Sequence, residues 1–225
     1  MIKSQLLSKA NVLNEIKGVL SYFHVPELIS INAWSFKQRK KISFEKIFNS
    51  EFLIVRSSAA DEDGNCASAA GEYESILNVP SGAPKKIIAA INNVIVSYEK
   101  KRPLLPDDQV ILQEMVQNVS MSGVIFTHDL NTGAPYYVIN YDDQSGLTDT
   151  VTSGNSEYAN RTLFIHRNSI NKLHSERFIK LLQAVQELER VMGSQFLDIE
   201  FALGEDLKPY LFQVRAITTQ PNWNR

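Results

Sequence analysis

The stretch Leu197-Asp198-Ile199-Glu200-Phe201, followed by Leu211-Phe212-Gln213-Val214-Arg215, decides how this chain is read. Each run alternates polar and apolar residues, and in a strand alternate residues share a face. Asp198 and Glu200 therefore point one way while Ile199 and Phe201 point the other. Gln213 and Arg215 share a face in the same manner, opposite Phe212 and Val214. Gly204-Glu205-Asp206 between the runs is a hairpin signal. Paired through it, the strands gather carboxylate, amide oxygen and guanidinium, the hard ligands and fixed cation that a Mg²⁺-nucleotide requires. The same alternation also suits a surface hairpin with a solvated polar face and an incidental Glu–Arg pair.

Upstream of this hairpin, Ser175 to Met192 carries Phe178, Ile179, Leu182, Val185, Leu188 and Met192 on one side, an amphipathic helix stopped by Gly193. Short strands are expected at Val110–Val116, Gly123–Thr127, Tyr136–Tyr141 and Thr162–His166, with Asn131-Thr132-Gly133 as a turn. Lys100-Lys101-Arg102-Pro103 and Pro106-Asp107-Asp108 mark a break, giving lobes of residues 1–105 and 106–225. In the first lobe, helices are expected at Leu6–Leu20 and Pro84–Tyr98, and a short extended piece at Ile29–Ile31. Phe52-Leu53-Ile54-Val55 reads as a buried strand. Helices with mostly antiparallel strands argue for a two-lobe α+β architecture.

Arg56 ends that apolar strand and enters a small-residue loop from Asp61 to Gly71. Small residues let backbone N–H groups approach phosphate, and the arginine supplies charge. A strand-end arginine reaching to solvent is the alternative. No Gly-Lys-Ser/Thr follows, so the loop is not a Walker P-loop, and Asp61, Glu62, Asp63 and Glu72 would oppose phosphate unless turned outward.

Composition bounds the rest. The 225 residues carry a formal charge of −2, which argues against a nucleic-acid or anionic-membrane partner. A single cysteine, Cys66, suits a reducing cytoplasm. Neither the opening Met1-Ile2-Lys3-Ser4-Gln5 nor any later stretch reads as a signal peptide or membrane span, so a cytoplasmic protein is expected.

Taken in order, Val55-Arg56-Ser57-Ser58-Ala59, Glu62-Asp63, Ser68-Ala69-Ala70-Gly71 and Leu77-Asn78-Val79 resemble the N-terminal nucleotide-binding domain of phosphoenolpyruvate synthases and pyruvate phosphate dikinases. So do Val110-Ile111-Leu112-Gln113-Glu114-Met115-Val116, Ser122-Gly123-Val124-Ile125-Phe126-Thr127, Asp198-Ile199-Glu200 and Gln213-Val214-Arg215-Ala216-Ile217-Thr218. The resemblance implies an ATP-grasp fold with ATP between two lobes. It implies that Arg56 and Arg215 bind phosphates, that Glu200 and Gln213 hold Mg²⁺, and that Gly71 and Ser75 lie in a mobile phosphate-covering loop. Gln113, Glu114, Met115 and Val116 would form the hinge that meets adenine, chiefly through backbone groups. Lys9 sits where the family has a Gly-Lys-Gly phosphate contact, without the flanking glycines; an exposed helix lysine is the other reading.

Two departures follow. In place of a Gly-Leu-Gly-Glu segment the chain has Tyr136 to Asp143 and Thr148 to Gly154, similar to a branch that includes glutamine kinases of capsular phosphoramidate synthesis. None of His24, His128, His166 or His174 stands in the family's Thr-Ser-His-Ala-type relay context, and the chain stops soon after Arg215. A nucleotide-binding fragment or detached module is therefore expected, partnered by a phosphohistidine domain in the same or another chain. A phosphoenolpyruvate synthase nucleotide domain, an ATP-grasp ligase and a non-catalytic nucleotide-sensing module are the alternatives.

Overall fold

A computed structural model describes residues 9–39, 48–60, 73–146, 161–217 and 223. Two compact units emerge: Pro26–Met115, and Met1–Val25 together with Val116–Arg225. The expected break between residues 105 and 106 thus differs from the observed division. The residues just beyond it, Gln109–Glu114, pair with strands of the first lobe, whereas the N-terminal helix belongs with the C-terminal residues.

The unit Pro26–Met115 holds a four-stranded antiparallel sheet of β1 (Leu28–Asn32), β2 (Phe52–Ser58), β3 (Ser75–Pro80) and β4 (Gln109–Glu114), in the order β1-β4-β2-β3. Helix α2 (Ala33–Arg39) follows β1, and α3 (Pro84–Glu99) joins β3 to β4. Proline at the start of α3 loses nothing, because the first turn's N–H groups have no helical acceptor. Its Ile87, Ile91, Val94, Ile95 and Tyr98 are buried against Leu53 and Val55 of β2 and Val110 and Leu112 of β4. One face of the sheet is thereby the core face, and the residues alternating with these present the other.

The second unit holds a five-stranded antiparallel sheet in the order β7-β6-β5-β8-β9. Its strands are β5 (Val119–Phe126), β6 (Tyr136–Asp142), β7 (Arg161–His166), β8 (Leu197–Gly204) and β9 (Pro209–Ala216). Helix α4 (Glu176–Met192) packs on β8 and β9, and α1 (Lys9–Lys17) packs on β9. As expected, α4 stops at Gly193, whose φ of 64° is the left-handed conformation that glycine adopts without steric cost. The turn before β6 likewise closes on Gly133 at φ 69°, its N–H donating to Asp129 O.

Close approach of β5 to β6 is enforced at Gly123, opposite Tyr141. A Cβ there would lie 2.0 Å from Asn140 O and 2.8 Å from Tyr141 Cα, so only glycine fits. On α4, Glu187 accepts the backbone N–H groups of Ser21 and Tyr22, which ties the segment after α1 to the same unit. Nearby in sequence, Glu189 accepts a bidentate pair from Arg167 at 2.7 and 2.8 Å and the Tyr137 hydroxyl at 3.1 Å. Burial and the Glu189 charge hold the Tyr137 phenol far above its ordinary range, so it serves as a permanent donor. Among the described residues, no helix is long and apolar enough to cross a membrane.

Candidate functional site

In the five-stranded unit the two decisive runs form adjacent strands, with Asp198 directly opposite Arg215 and Glu200 directly opposite Gln213. Direct opposition puts all four side chains on one face. Ile199, Phe201 and Val214 point to the other face and are buried. A solvated surface hairpin would leave the polar row wet, yet Asp198 is only 7 % exposed and Gln213 only 3 %. Val124 and Phe126 of β5, opposite Glu200 and Asp198, flank the row with apolar surface.

Arg215 donates through Nε to Asp198 Oδ2 at 2.6 Å, and its Nη2 lies 2.6 Å from the same oxygen. Burial pushes the Asp198 carboxyl above the ordinary carboxylate range; Arg215 opposes the shift, Glu200 adds to it, and Lys9 opposes it. Lys9, the first residue of α1, is half-buried rather than fully exposed, and its charge reaches Asp198. Lys9, Asp198, Glu200, Gln213 and Arg215 thus belong to one charged locus within this unit.

Glu200 and Gln213 offer one carboxylate and one amide oxygen side by side. Among the described residues no group of three or more His, Cys, Asp or Glu could hold a metal alone. The donor set suits Mg²⁺, which keeps waters and takes one or two carboxylates together with substrate phosphates rather than a closed protein cage.

The four-stranded unit carries the remaining expected residues. Arg56 does not end its strand. It sits mid-ladder, opposite Ile111 of β4 and Ser75 of β3, and the pairing continues through Ser57 and Ser58. The strong ladder with β4 overrides the turn preference of the two serines. Ser75 is the exposed first residue of β3, in a strand rather than a loop, while Gly71 lies outside the described residues.

The hinge residues divide by face. Glu114 lies with Leu53 and Leu112 on the core face, where its carboxylate accepts the Asn49 and Ser50 N–H groups at 2.7 and 3.1 Å. Its own N–H donates to Glu27 O, and the Met115 N–H donates to Phe52 O. Strand β4 ends at Glu114, so Met115 and Val116 lie just beyond it, both half-buried. Gln113 faces away from the core, beside Ile54, and is 1 % exposed.

One group that sequence reading treated only as a break marker anchors this unit. Asp108 is fully buried, bound bidentately by Arg102 at 2.8 Å on both oxygens. It also accepts the N–H groups of Ala60 at 3.0 Å and Leu105 at 2.7 Å. Burial alone would raise its pKa; the Arg102 and backbone bonds outweigh that and hold it below the ordinary value. Tyr98 adds a second anchor, its hydroxyl accepting from Ser58 N–H and donating to Gln109 O. No periodicity signals either, because each is completed by a contact distant in sequence, Asp108 with Ala60 and Tyr98 with Ser58.

Two of the histidines sit in packed positions of the five-stranded unit. His128 is buried, stacked on Phe196 with its ring nitrogen 2.9 Å from Gln195 O, and burial lowers its pKa. His166 closes β7, half-buried and edge-on to Tyr136.

Residues 6–163 match the family described as the pyruvate phosphate dikinase AMP/ATP-binding domain, most of the chain. The chain belongs to this family. Its two-unit α+β architecture with antiparallel sheets accords with the ATP-grasp fold that the sequence resemblance implied. Among curated relatives, the chain is 28 % identical to the prodigiosin synthesizing transferase PigC of Serratia marcescens over 75 % of its length and 23 % of the relative's. It is 27 % identical to the uncharacterized phosphotransferase YvkC of Bacillus subtilis (strain 168), over 79 % of this chain and 26 % of the other. The chain therefore spans about a quarter of the length of these curated relatives. Among solved structures, PH1788 from Pyrococcus horikoshii Ot3 shares the fold, with a TM-score of 0.53 at 13 % identity over 95 % of this chain and 92 % of that one.

Proposed function

We propose that this chain is the ATP-holding part of a dikinase-type phosphotransferase. The observation that carries the reading is the one-faced row of Asp198, Glu200, Gln213 and Arg215, its Asp198 and Gln213 buried and its Glu200 and Arg215 half-buried, in a chain that belongs to an AMP/ATP-binding family. Burial removes water that would screen these charges, so fixed donors act strongly on phosphate oxygens.

In this reading Arg215 and Arg56 bind phosphate oxygens and offset the charge that builds on them during transfer. Lys9 adds a cation on the Asp198 side. Glu200 and Gln213 hold Mg²⁺, which when bound neutralises phosphate charge. Gln113, Glu114, Met115 and Val116 line the adenine end. Ser75, opposite Arg56, lies beside the phosphates, with Gly71 in the same covering segment. A histidine of a separate domain attacks the β-phosphorus, the bond from that phosphorus to the α,β-bridging oxygen breaks, and AMP leaves. Water then releases orthophosphate from the pyrophosphoryl group, and the remaining phosphoryl passes to an acceptor. The amide nitrogen of L-glutamine is the acceptor that the branch resemblance favours. The cytoplasm is the compartment in which such an enzyme meets ATP.

Calorimetry of the chain with Mg²⁺-ATP tests the reading. Saturable binding with little turnover is expected, and phosphotransfer should appear only when the histidine domain is supplied. Absence of binding by ATP and ADP with Mg²⁺ would sink it. For the full-length protein, glutamine, pyruvate and water as acceptors separate the kinase, synthase and hydrolytic outcomes. Formation of ADP with an amine acceptor would instead indicate ligase chemistry.

A further inference from the structure

Two buried polar side chains on one face of the four-stranded sheet have no hydrogen-bond partner among the described residues. Neither the amide nitrogen nor the amide oxygen of Gln113 is bonded, and the Ser58 hydroxyl is in the same condition. Each side chain belongs to a residue only 1 % exposed. An unsatisfied buried donor or acceptor is costly, and native proteins leave few of them. A pair on one face, separated from the core, requires a reason.

The ladder shows how they are disposed. Ile54 opposes Gln113, Arg56 opposes Ile111, and Ser58 opposes Gln109, so Ile54, Arg56, Ser58, Ile111 and Gln113 share the face away from α3. Gln113 and Ser58 are four strand positions apart, about 13 Å at the strand rise. Arg56 lies between them. The Gln113 end is flanked by the apolar Ile54, Ile111 and Leu28, whereas the other end carries a hydroxyl two strand positions from a guanidinium.

That gradient matches a nucleotide laid along the strand. Phosphate at Gln113 would set anionic oxygens against the amide oxygen among apolar neighbours. A base edge instead offers an adjacent donor and acceptor, as adenine does to a bidentate glutamine, and its flat faces suit isoleucine and leucine. Phosphate oxygens fit the opposite end, where Ser58 can donate beside Arg56.

We propose that the Gln113 side-chain amide reads the base edge of the bound nucleotide, and that the Ser58 hydroxyl donates to its phosphates. This rests on the nucleotide-holding function above and adds side-chain selection to a hinge expected to act through its backbone.

The test compares ATP and adenosine binding by calorimetry and ligand-observed NMR for wild type, Gln113→Met, Gln113→Glu and Ser58→Ala. Gln113→Met should weaken both ligands by a similar factor, about tenfold or more. Ser58→Ala should weaken ATP and leave adenosine unchanged. Gln113→Glu replaces the donor with a second acceptor, which complements the N1–H and amino group of guanine, so the ATP-to-GTP affinity ratio should fall. That ratio does not depend on the folded fraction, so it decides the matter even if a variant is partly unfolded. Removing an orphaned amide should not lower the melting temperature of ligand-free Gln113→Met. Wild type that binds neither ATP nor adenosine overturns the underlying function. Wild type that binds ATP while both Gln113 variants keep its affinity and base preference overturns the inference alone.

Discussion

Asp198 and Arg215 face one another across β8 and β9, joined at a single carboxylate oxygen, and the pair couples stability to the charge on the row. The raised Asp198 pKa fixes the sign. The folded state holds its proton more tightly than the unfolded state, so this carboxyl stabilises the fold at low pH. The contribution is lost as pH rises from the unfolded value of 3.8 through the folded one. Arg215→Ala removes the opposing charge, widens that window, and should destabilise the chain by about 3 kcal/mol at neutral pH. Urea unfolding midpoints between about pH 4 and about pH 7 should fall more steeply for Arg215→Ala than for wild type. Adding Asp198→Asn should flatten the slope; an unchanged slope in the double variant would assign it elsewhere.

Asp108 behaves in the opposite sense. Its folded pKa lies below 3.8, so its contribution is present above the unfolded value and disappears as pH falls through the folded one. Asp108→Asn leaves Arg102 without its carboxylate and should cost about 3 kcal/mol at neutral pH. Thermal unfolding should show the gap to wild type narrowing in acid.

Tyr98→Phe removes a hydroxyl that both accepts and donates within the sheet. The Ser58 N–H and Gln109 carbonyl would lose that partner, at about 1–3 kcal/mol. Native-state hydrogen exchange should show faster exchange at the Ser58 amide, while amides in β8 and β9 stay protected.

Gly123→Ala places a methyl group against the backbone of β6, where no side-chain rotation can relieve it. A loss of about 3 kcal/mol or more is expected. Chemical denaturation of the purified variant checks it; a loss within experimental error would mean that β5 and β6 can separate locally.

Much of this architecture was legible in the sequence because its elements are long or strongly patterned. Helices α3 and α4 carry full apolar stripes, and Gly193 marks an unambiguous stop. The polar row was legible from period-two alternation alone, whereas its burial was not, since exposure depends on what covers a face. Helix α2 escaped notice because seven residues make too few turns to establish a period. Strand β3 carries Asn78 at φ 56° and ends on Pro80, which obscures an edge strand. Ser57 and Ser58 resemble loop residues until β4 is seen beside them. The orphaned state of Gln113 is a property of three-dimensional packing that no spacing encodes.

The division of the chain also sets an order in time. Residues Pro26–Met115 form one continuous stretch, so once β4 leaves the ribosome every strand of that sheet is available. The other unit is assembled from both sides of this insertion, and α1 packs on β9 nearly two hundred positions later in the sequence. At ordinary synthesis rates α1 waits on the order of ten seconds or longer for that strand. Its apolar side, Val12, Leu13 and Ile16, stays uncovered by its final partner throughout the wait. The nascent chain is most open to chaperone capture in this interval, before the Gln213 and Arg215 half of the polar row has been made.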